Sequence, residues 1–576
     1  MTDLSQLPHG LRPRGLVARD VPPHDLHDID PVLARVLAAR GVKNSQQLDM
    51  SLKRLAPVGL LANIDAAVDL LLLHQASHIV IVGDFDADGA TSTALMLRCL
   101  ARLGFGSVES LVPNRFDYGY GLSPEIVDVA AKDSPSLIVT VDNGISSHAG
   151  VDRANELGID VLVTDHHLPA PALPAAKVIV NPNLPGDGYP SKSLAGVGVA
   201  FCLMAALARK LSAGDPGLAR IPADYLDLVA LGTVADVVPL DDNNRILVAA
   251  GLQRIRAGRC VPGISALLSV AGRDPARIVT ADLGFALGPR LNAAGRLEDM
   301  SIGIRCLTTD DGSAASAIAQ QLDAINRARR ELESDMQRDA LEVVEQITQS
   351  LDTALPDCLC LYEPHWHQGV VGLVASRIKE ATGRPVFAFA NEDEDTLKGS
   401  GRSINGVHIR DLLAAVQARH PGLIGRFGGH AMAAGLSLPA GHLTAFRNAV
   451  ASQQRELFPE ADFAPAMHTD GELPESHLTL EFAEQLRRIA PWGQHFPEPL
   501  FTGTFAVVDA RIVGEKHLKL QLAHGALRID AIAFNQAREP MPQPGESLLL
   551  AYRLEVNVWR QRQTTQLIVE QWQSIA

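Results

Sequence analysis

Aspartate and histidine recur in this sequence at spacings suited to binding metal ions. Residues 83–89 read GDFDADG, with aspartates at positions 84, 86 and 88. The chain then gives DNG from Asp142, DHH from Asp165, and Asp236 inside GTVADVVP. A single aspartate of this kind is more often a turn or a helix cap. The whole set predicts a metal site, because carboxylates packed together repel one another unless cations neutralise them.

The ligand types indicate which metals and which reaction such a site suits. Carboxylate oxygens with one or two imidazoles suit Mn²⁺ or Mg²⁺, and the histidine favours Mn²⁺. A pair of these ions holds a hydroxide and stabilises an in-line displacement at phosphorus. The residues therefore predict a phosphoester hydrolase with two divalent cations, Mn²⁺ or Mg²⁺, as its cofactors.

Short apolar strands alternate with amphipathic helices around these acids, which indicates an α/β fold with a parallel, doubly wound sheet. The predicted strands are 78–83, 137–141, 161–164 and 177–180, and the predicted helices are 90–103, 151–157 and 226–233. Ligands of such sheets bind beyond the carboxyl ends of the strands. We therefore expect the acids to converge at that edge of the sheet.

The rest of the chain divides into further predicted domains. Residues 313–352 contain neither glycine nor proline and keep a helical period, which predicts a helix of roughly 60 Å. A second, smaller α/β unit follows it. Five short alternating strands after residue 475 predict a β-barrel such as an OB-fold. The predicted domains are a helical cap at 1–50, a catalytic domain at 51–311, the connecting helix at 312–355, the second α/β domain at 356–456 and the barrel domain at 457–576.

Composition limits the class of protein without deciding its partner. The 576 residues are 47% hydrophobic and carry a net charge of −15, which counts against a uniformly basic nucleic-acid binder. Residues 401–430 nevertheless hold Arg402, Arg410, Arg419 and Arg426 against a single acid. Six cysteines without a C-x-x-C pair, no recognisable signal and no long apolar run predict a reduced, cytoplasmic protein without a membrane partner.

The stretches VGDFDADGATSTAL, VDNG, TDHH and LVALGTVADVVPL resemble, in this order, the four motifs of the DHH phosphoesterase family. The resemblance implies that Asp86 and Asp88 bind different ions and that Asp142 bridges the two. It further implies that His166 and Asp236 complete the coordination.

Two residues of these motifs keep alternative roles. Asp84 is either a metal ligand or an acid that stands behind the ligands. His167 either contacts the scissile phosphate or orients a ligand. The catalytic set that the resemblance implies is Asp86, Asp88, Asp142, His166, His167 and Asp236, with Asp84 added to the metal ligands.

Glycine-rich stretches further along suit a close approach of backbone amides and cations to phosphate. GPRLNAAGR at 288–296 is predicted to form a turn that carries two arginines. GSGRS at 399–403 and RFGGHAMAAG at 426–435 are predicted as further turns. Together with HWHQGVVG at 365–372, the last two stretches resemble the DHH-associated domain of the family.

The same resemblance implies which residues bind substrate. Ser400 and Arg402 would hold a 5′-terminal phosphate, and His430 would contact the nucleotide near the metals. Arg115 and Arg296 are further candidates for the same pocket.

The long helix and the terminal barrel resemble the RecJ exonucleases within this family. That resemblance implies a 5′→3′ exonuclease that degrades single-stranded DNA to 5′-mononucleotides in recombination and DNA repair. It also implies a single-strand-binding protein and other repair or recombination proteins as partners. One turn departs from RecJ sequences, since residues 491–499 read PWGQHFPEP where RecJ tends to read P-F-G-x-G-N-P-E-P.

The barrel carries residues that suit single-strand binding, by stacking of bases on aromatic rings within a basic groove. These residues are Trp559, Arg560, Arg562, Lys516 and Lys519. An oligoribonuclease or cyclic-dinucleotide phosphodiesterase of the same family would use the same metal site, but a barrel for long strands argues against it. A catalytically silent scaffold is disfavoured because the full carboxylate and histidine set is present.

Overall fold

The computed structural model describes residues 15–112, 121–351, 356–461, 463, 466–537, 540–560 and 562–575, with only the backbone described at 345–351 and 559. The chain forms two compact units. The first unit is Val21–Asn326 with Glu484–Glu498, and the second unit comprises Met1–Asp20, Arg327–Ala483 and Pro499–Ala576. The first described strand, β1 (Leu16–Ala18), belongs to the second unit.

A five-stranded parallel sheet forms the centre of the first unit, in the order β3-β2-β4-β5-β6. Its strands are β2 (His78–Gly83), β3 (Ser107–Leu111), β4 (Leu137–Val141), β5 (Asp160–Thr164) and β6 (Val178–Val180). The middle strands are buried on both faces, which explains their continuous runs of branched apolar residues. The predicted parallel sheet is therefore confirmed. Strand β3 was not predicted, because its sequence SVESL is largely exposed at the sheet edge.

The first unit also contains helices, some of which pack on the strands of this sheet. They are α1 (Pro31–Ala38), α2 (Ile64–Leu73), α3 (Ala87–Arg102), α4 (Pro124–Ala130), α5 (His148–Glu156), α6 (Gly196–Leu211), α7 (Leu226–Ala235), α8 (Asp242–Arg256), α9 (Pro262–Val270), α10 (Thr280–Asp282), a π-helical turn (Leu283–Leu287), α11 (Gly288–Leu297) and α12 (Ser301–Thr308). Single 3₁₀ turns lie at Ser45–Leu48, Leu52–Arg54, Val58–Leu60, Ala131–Asp133, Leu218–Tyr225 and Pro275–Arg277.

The turn that departs from RecJ sequences returns to this first unit. Phe496 is fully buried and stacks on Trp492 with 5.3 Å between ring centroids. The guanidinium of Arg245 lies 4.3 Å from the centroid of Phe496, and that of Arg40 lies 5.4 Å from the centroid of Trp492. His495 adopts a left-handed conformation with φ 57°. The unusual residues of this turn therefore fill a cation-lined aromatic pocket of the first unit.

Helix α13 (Gly312–Leu351) confirms the predicted long helix, and it begins in the first unit and ends in the second. The second unit then builds a sheet of order β10-β11-β9-β8-β7, in which only β7 and β8 are parallel. Its elements are β7 (Leu359–Tyr362), α14 (Val371–Thr382), β8 (Val386–Asn391), β9 (Thr396–Arg402), α15 (Ile409–Arg419), β10 (Arg426–Gly429), β11 (Ala433–Pro439) and α16 (Leu443–Leu457), with a 3₁₀ turn at Ala440–His442.

The prediction of a turn at 399–403 is wrong, because residues up to Arg402 belong to strand β9. Its glycines provide space instead of a bend. A methyl group at Gly399 would lie 2.5 Å from the ring of Phe389, and one at Gly401 would lie 2.7 Å from the ring of Phe387. Two phenylalanine rings therefore pack directly against the backbone of this strand.

The C-terminal strands close into a five-stranded barrel of order β13-β14-β15-β17-β16, as predicted. They are β13 (Phe501–Val513), β14 (His517–His524), β15 (Leu527–Ala533), β16 (Ser547–Trp559) and β17 (Arg562–Ile575), preceded by β12 (Met467–Thr469), a 3₁₀ turn at Glu475–His477 and α17 (Leu480–Ile489). Strand β12 lies in the part of the predicted barrel domain that precedes the five predicted strands. It pairs in parallel with β1, Leu16 opposite Met467.

None of the six cysteines forms a disulfide, and all but Cys260 are buried, in agreement with the expected reduced thiols. Among the described residues, no individual helix combines the length and hydropathy that a bilayer crossing requires, although the bent pair Leu52–Leu60 and Ile64–Leu73 reaches both by length and composition alone.

Candidate active site

Three aspartates follow the last residues of neighbouring strands. In the sheet, Gly83 pairs with Val141, and Val141 pairs with Thr164. The residue after each of these is an aspartate, so the register sets three carboxylates side by side at the carboxyl edge. They are Asp84, Asp142 and Asp165, all buried. The expected convergence of acids at this edge is thus what the strands produce.

The loop after β2 is shaped by its own carboxylates. Asp86 caps α3 by accepting hydrogen bonds from the backbone N–H of Asp88 (2.9 Å) and of Gly89 (3.0 Å). A methyl group at Gly89 would lie 2.4 Å from the carbonyl oxygen of Asp84. Only glycine therefore lets the loop fold back tightly enough to present its acids together.

Asp88 is held by the start of α6. Its Oδ2 accepts a hydrogen bond from the N–H of Gly196 (2.6 Å), and its Oδ1 accepts one from the N–H of Val197 (2.9 Å). The positive end of the α6 dipole thus faces this carboxylate. A methyl group at Gly196 would lie 2.6 Å from Cβ of Asp142, so the same helix start also packs against the next acid.

His166 lies between two carboxylates. Its Nε2 is 3.0 Å from Oδ1 of Asp142 and 3.5 Å from Oδ2 of Asp236, which is the C-cap residue of α7. Asp142 itself has φ 62°, a left-handed conformation that is costly for an aspartate and marks the strand end as a shaped position.

Three overlapping sets of possible ligands result among the described residues. One set is Asp142, Asp165, His166 and His167, and the other two divide the six predicted ligands between them. The first ligand group is Asp84, Asp86 and Asp142, and the second ligand group is Asp88, His166 and Asp236. Within each group one ligand atom per residue lies within 4.8 Å of the others. The contact between Asp142 and His166 joins the first and second ligand groups.

Electrostatics show that this cluster needs positive charge. Burial, followed by the charges of Asp236 and Asp86, raises the pKa of Asp88 well above its usual range. Burial and the neighbouring acids, Asp88 first, do the same to the pKa of Asp142. Burial and Asp86 raise the pKa of Asp236 to about 7, and its Oδ2 accepts no hydrogen bond from the described residues. A set of carboxylates this unfavourable alone fits divalent cations.

His167 is oriented by Asp165, whose part the sequence did not reveal. The two are joined by a 2.7 Å hydrogen bond between Nδ1 and Oδ1. Burial opposes protonation of His167, but Asp165 outweighs it and raises the pKa of the imidazole to about 9. Burial likewise pushes the pKa of Asp165 up, yet the bond to His167 and the charges of both histidines hold it below its usual value. The imidazole is therefore fixed in place by a buried carboxylate.

The stretch 288–296 is helix α11 and not the predicted turn. Pro289 stands in its first turn, where a proline favours the start of a helix. Asn292 accepts a 2.7 Å hydrogen bond from the N–H of Ala87, and a methyl group at Gly295 would lie 1.8 Å from the carbonyl oxygen of Phe85. The helix therefore supports the loop that carries the first acids.

The two arginines of α11 have different surroundings. Arg290 forms an ion pair with Asp323 at 2.8 Å, which makes it a structural residue. Arg296, the predicted substrate residue, is half-buried on the same helix.

In the second unit, Ser400 and Arg402 meet at the start of α14. Arg402 Nη1 donates to Ser400 Oγ and to the carbonyl of Gly401, both at 2.9 Å. A methyl group at Gly372, in the first turn of α14, would lie 2.9 Å from Nη2 of Arg402 and 3.0 Å from Ser400 Oγ. Burial lowers the pKa of Arg402, and no carboxylate pairs with it among the described residues. A guanidinium, a hydroxyl and a helix N-terminus at one place suit a phosphate.

The remaining predicted substrate residues and the basic patch have the following surroundings. His430 is exposed between β10 and β11, where its N–H donates to the carbonyl of Ala433 at 2.8 Å. Arg115 lies outside the described residues. Of the basic patch suggested by composition, Arg419 pairs with Glu456 at 2.9 Å.

On the barrel, Lys516 is exposed, whereas Lys519 lies 3.7 Å from Asp530. Arg560 and Arg562 are exposed, and the side chain of Trp559 lies outside the described part. The structure adds an exposed ring, Phe534, which packs edge-on against the half-buried His517 with 5.3 Å between ring centroids. Neither residue stands in a recognisable motif.

Comparison with known proteins agrees with these features. The model of the "DHH family, N-terminal domain" matches residues 78–233, that of the "DHHA1 domain" matches 356–456, and that of the "RecJ OB domain" matches 469–571. The single-stranded-DNA-specific exonuclease RecJ of Dickeya dadantii is 53% identical over 94% of this chain and 95% of its own length.

Solved structures extend the likeness to three dimensions. RecJ from Thermus thermophilus in complex with Mn²⁺ matches with a TM-score of 0.81 at 32% identity, over 98% of this chain and 79% of that one. Its complex with Mg²⁺ matches with a TM-score of 0.75 at 30% identity, over 98% and 78%. Both the sequence likeness and the structural likeness run through the metal site, the second α/β body and the barrel. The chain belongs to the RecJ family.

Proposed function

We propose that this chain is a metal-dependent exonuclease that degrades single-stranded DNA from the 5′ end to 5′-mononucleotides. The observation that carries the proposal is the pair of ligand groups joined through Asp142 and His166 in a chain of the RecJ family. We assign the reaction to the cytoplasm and to recombination and repair, where single strands arise.

The two ligand groups would hold two divalent cations, Mn²⁺ or Mg²⁺. These ions supply activation of water and neutralisation of charge at the scissile phosphate. Asp142 would bridge them, with Asp84 as a direct member of the first ligand group. Asp88 is kept rigid by the two N–H donors of α6, and Asp86 by the cap of α3. Rigid ligands hold the geometry that the reaction needs before substrate binds, and such preorganisation lowers the activation free energy.

His167 acts on the substrate side in this proposal. Its Nδ1 is engaged by Asp165, which fixes the ring plane. We assign its Nε2 to the scissile phosphate, where it orients the non-bridging oxygens.

The polarity of digestion rests on the second unit. The pocket of Ser400, Arg402 and the start of α14 suits a terminal phosphate better than an internal one, because a guanidinium held by Ser400 offers its remaining donors to a doubly charged group. Arg296 in the first unit and His430 in the second are further substrate-binding residues in this assignment. A strand that enters by its 5′-phosphate would be cut from that end.

The barrel would bind the strand beyond the cleaved nucleotide. Lys516, Arg560 and Arg562 neutralise phosphates, and the exposed ring of Phe534 offers a stacking surface. A single-strand-binding protein and repair or recombination proteins are the partners we propose, since they share this substrate.

One digestion experiment tests the function. A single strand bearing a 5′-phosphate and a 3′ fluorophore is incubated with the protein in Mn²⁺, and the products are resolved over time. Release of unlabelled mononucleotides first, with a ladder of shortening 3′-labelled strands, supports the proposal. Early release of the labelled 3′ nucleotide contradicts the polarity. Preference for dinucleotides or RNA over a long DNA strand would favour an oligoribonuclease or cyclic-dinucleotide phosphodiesterase.

A further inference from the structure

Three exposed apolar side chains belong to segments that adjoin the charged cluster of the first unit. Phe285 is 78% exposed, Leu168 is 67% exposed and Val237 is 61% exposed. Together with Leu73, at 73%, they have the largest exposed fractions among the large hydrophobic residues described. A single exposed apolar side chain is ordinary, but a group beside one catalytic cluster points to a binding surface. We call Leu168, Val237 and Phe285 the apolar rim.

Two members of the rim adjoin site residues directly. Leu168 follows His167, and Val237 follows Asp236. Val237 has φ 62°, a left-handed conformation that a β-branched side chain adopts only at a cost. The chain therefore tolerates strain at the position where an apolar side chain emerges next to a metal-binding carboxylate.

The third member is placed by a π-helical turn. Leu283–Leu287 is π-helical, a rare geometry that recurs at functional sites. A methyl group at Gly284 would lie 3.2 Å from Cγ1 of Val234, and one at Gly288 would lie 3.1 Å from Cβ of Ala235. The turn thus sits on the end of α7, next to Asp236. Its other apolar side chains, Leu283, Ala286 and Leu287, are buried, whereas Phe285 is left in solvent.

The rim is also tied to the loop of the first acids. Helix α11 continues directly from the π-helical turn and supports that loop through Asn292 and Gly295. A group bound on Phe285 therefore has a defined position relative to the carboxylates. This rigidity is what a positioning surface requires.

We propose that the apolar rim is a nucleobase subsite, with Phe285 as its stacking platform and Leu168 and Val237 as its apolar walls. A nucleotide has a charged phosphate and a flat apolar base, and this part of the molecule offers a cation-binding cluster bordered by apolar surface. Base stacking on an aromatic ring tolerates any sequence, as a degradative enzyme needs. The proposal rests on the proposed function only in its choice of a nucleic-acid strand as occupant.

The test combines protein variants with substrate variants. The probe is a fluorescent, 5′-phosphorylated oligothymidylate of eight nucleotides with phosphorothioate linkages to slow hydrolysis, together with versions that lack one base at each of the first four positions. Binding is measured by anisotropy in Mn²⁺. For the wild-type chain, removal of the base at one of these four positions should lower affinity roughly tenfold. Phe285→Ala should lower affinity for the intact strand by a similar factor, and this variant should bind the strand without that base as tightly as it binds the intact strand. Phe285→Tyr should bind like wild type.

Leu73→Ala is the matched control, because Leu73 is equally exposed but ends α2 at the opposite, amino edge of the sheet. It should bind every strand like wild type. The double variant Leu168→Ser with Val237→Thr carries the same test if Phe285→Ala does not fold, and it should lose affinity severalfold. Wild-type binding by both folded variants, with abasic penalties unchanged, overturns the subsite while leaving the nuclease assignment intact. The opposite result is also distinguishable. If the wild-type chain does not hydrolyse ordinary DNA but Phe285→Ala and the abasic strand still lose affinity as described, the nuclease assignment is overturned and the subsite is kept.

Discussion

At the scale of single residues, the cluster is a set of acids that destabilise one another and are kept together by backbone donors. Asp88 receives two N–H donors from α6, whereas the Oδ2 of Asp236 receives no hydrogen bond from the described residues. A buried carboxylate oxygen without a donor is costly. Metal binding is the interaction that makes the arrangement favourable.

Replacing Asp142 by alanine should lower kcat for single-stranded DNA by roughly 10³-fold or more, because the two ligand groups are joined through this residue. The unfolding temperature of the Asp142→Ala variant in EDTA should not fall below that of the wild-type protein, because one of the mutually repelling charges is gone. Calorimetry with and without Mn²⁺ gives a second measure. At an Mn²⁺ concentration 100 times the Kd, metal binding should raise the free energy of unfolding of the wild-type protein by about 2.7 kcal/mol, and it should raise that of the variant much less.

The control for this variant is Asp69→Ala, which removes an exposed carboxylate that forms a surface ion pair with Lys210. It should keep wild-type turnover and the full metal-dependent stabilisation. Residual turnover of Asp142→Ala within tenfold of wild type would contradict the bridging role.

Replacing Arg402 by alanine should raise KM for 5′-phosphorylated strands about 10- to 100-fold, because a charge-assisted hydrogen bond is lost from a half-buried pocket. Strands with a 5′-hydroxyl should change little, since they lack the group that is recognised. Steady-state kinetics on the two substrates measure the difference. Arg419→Ala, which removes an exposed arginine paired with Glu456, is the control. Equal losses on both substrates would place Arg402 away from the terminal phosphate.

At the scale of elements, two helices decide the position of the acids. Helix α7 has Asp236 as its C-cap, and α11 supports the loop of Asp84 to Asp88. The sequence predicted the strand-end acids because parallel strands place their carboxyl ends together. The prediction of a turn at 288–296 was wrong because it rested on the local frequency of glycine and proline, which is typical of turns. The role of Gly295 depends on contact with Phe85, 210 positions earlier in the sequence, which no local pattern contains.

Replacing Gly295 by alanine should lower kcat by roughly 10²-fold, because the methyl group would collide with the carbonyl of Phe85 and displace the loop of the first acids. The unfolding free energy should fall by about 1–3 kcal/mol. The matched control is Gly312→Ala, because a methyl group there meets nothing within 4 Å. If Gly295→Ala keeps wild-type turnover and Mn²⁺ affinity, α11 does not position the loop.

Replacing Asp227 by asparagine should make the protein progressively more stable than wild type as the pH rises. Burial raises the pKa of Asp227, in the first turn of α7, although Val261 N–H donates to its Oδ2 at 2.7 Å. A raised pKa contributes stability below the ordinary pKa and loses it as the pH rises through the raised value. Urea unfolding in EDTA at pH 5 and pH 8 measures this, and a difference that is the same at both pH values would show that Asp227 does not titrate in this way.

At the scale of the whole molecule, the unit that carries the metal site is not continuous in sequence. Glu484–Glu498 belongs to the first unit, where Trp492 and Phe496 pack with Arg40 and Arg245. A boundary near residue 457 was expected from composition, because proline and acids are frequent there. Composition does not reveal that the chain returns, since that depends on contacts with residues hundreds of positions away.

Two truncations therefore should behave differently. Ending the chain after Glu498 removes the barrel and should weaken binding of long single strands and flatten its salt dependence, because barrel cations no longer neutralise phosphates. Hydrolysis of very short oligomers should fall much less. Ending the chain after Glu472 also removes the buried Phe496, so the first unit should lose about 3–5 kcal/mol and with it metal binding. Anisotropy, calorimetry and dinucleotide hydrolysis compare the two, and equal loss of short-substrate activity by both would contradict this division.

The return of Glu484–Glu498 has a consequence for biosynthesis. A ribosome that adds about 5–20 residues per second needs roughly 23–90 s to go from Arg40 to Trp492. Until then the first unit lacks the aromatic turn that Arg40 and Arg245 cover. Strand β1 likewise waits for its partner Met467–Thr469. A nascent chain therefore stays incomplete at both places until residues 467–498 have been made, so that the unit with the acidic cluster is completed only after the whole second α/β sheet has been synthesised.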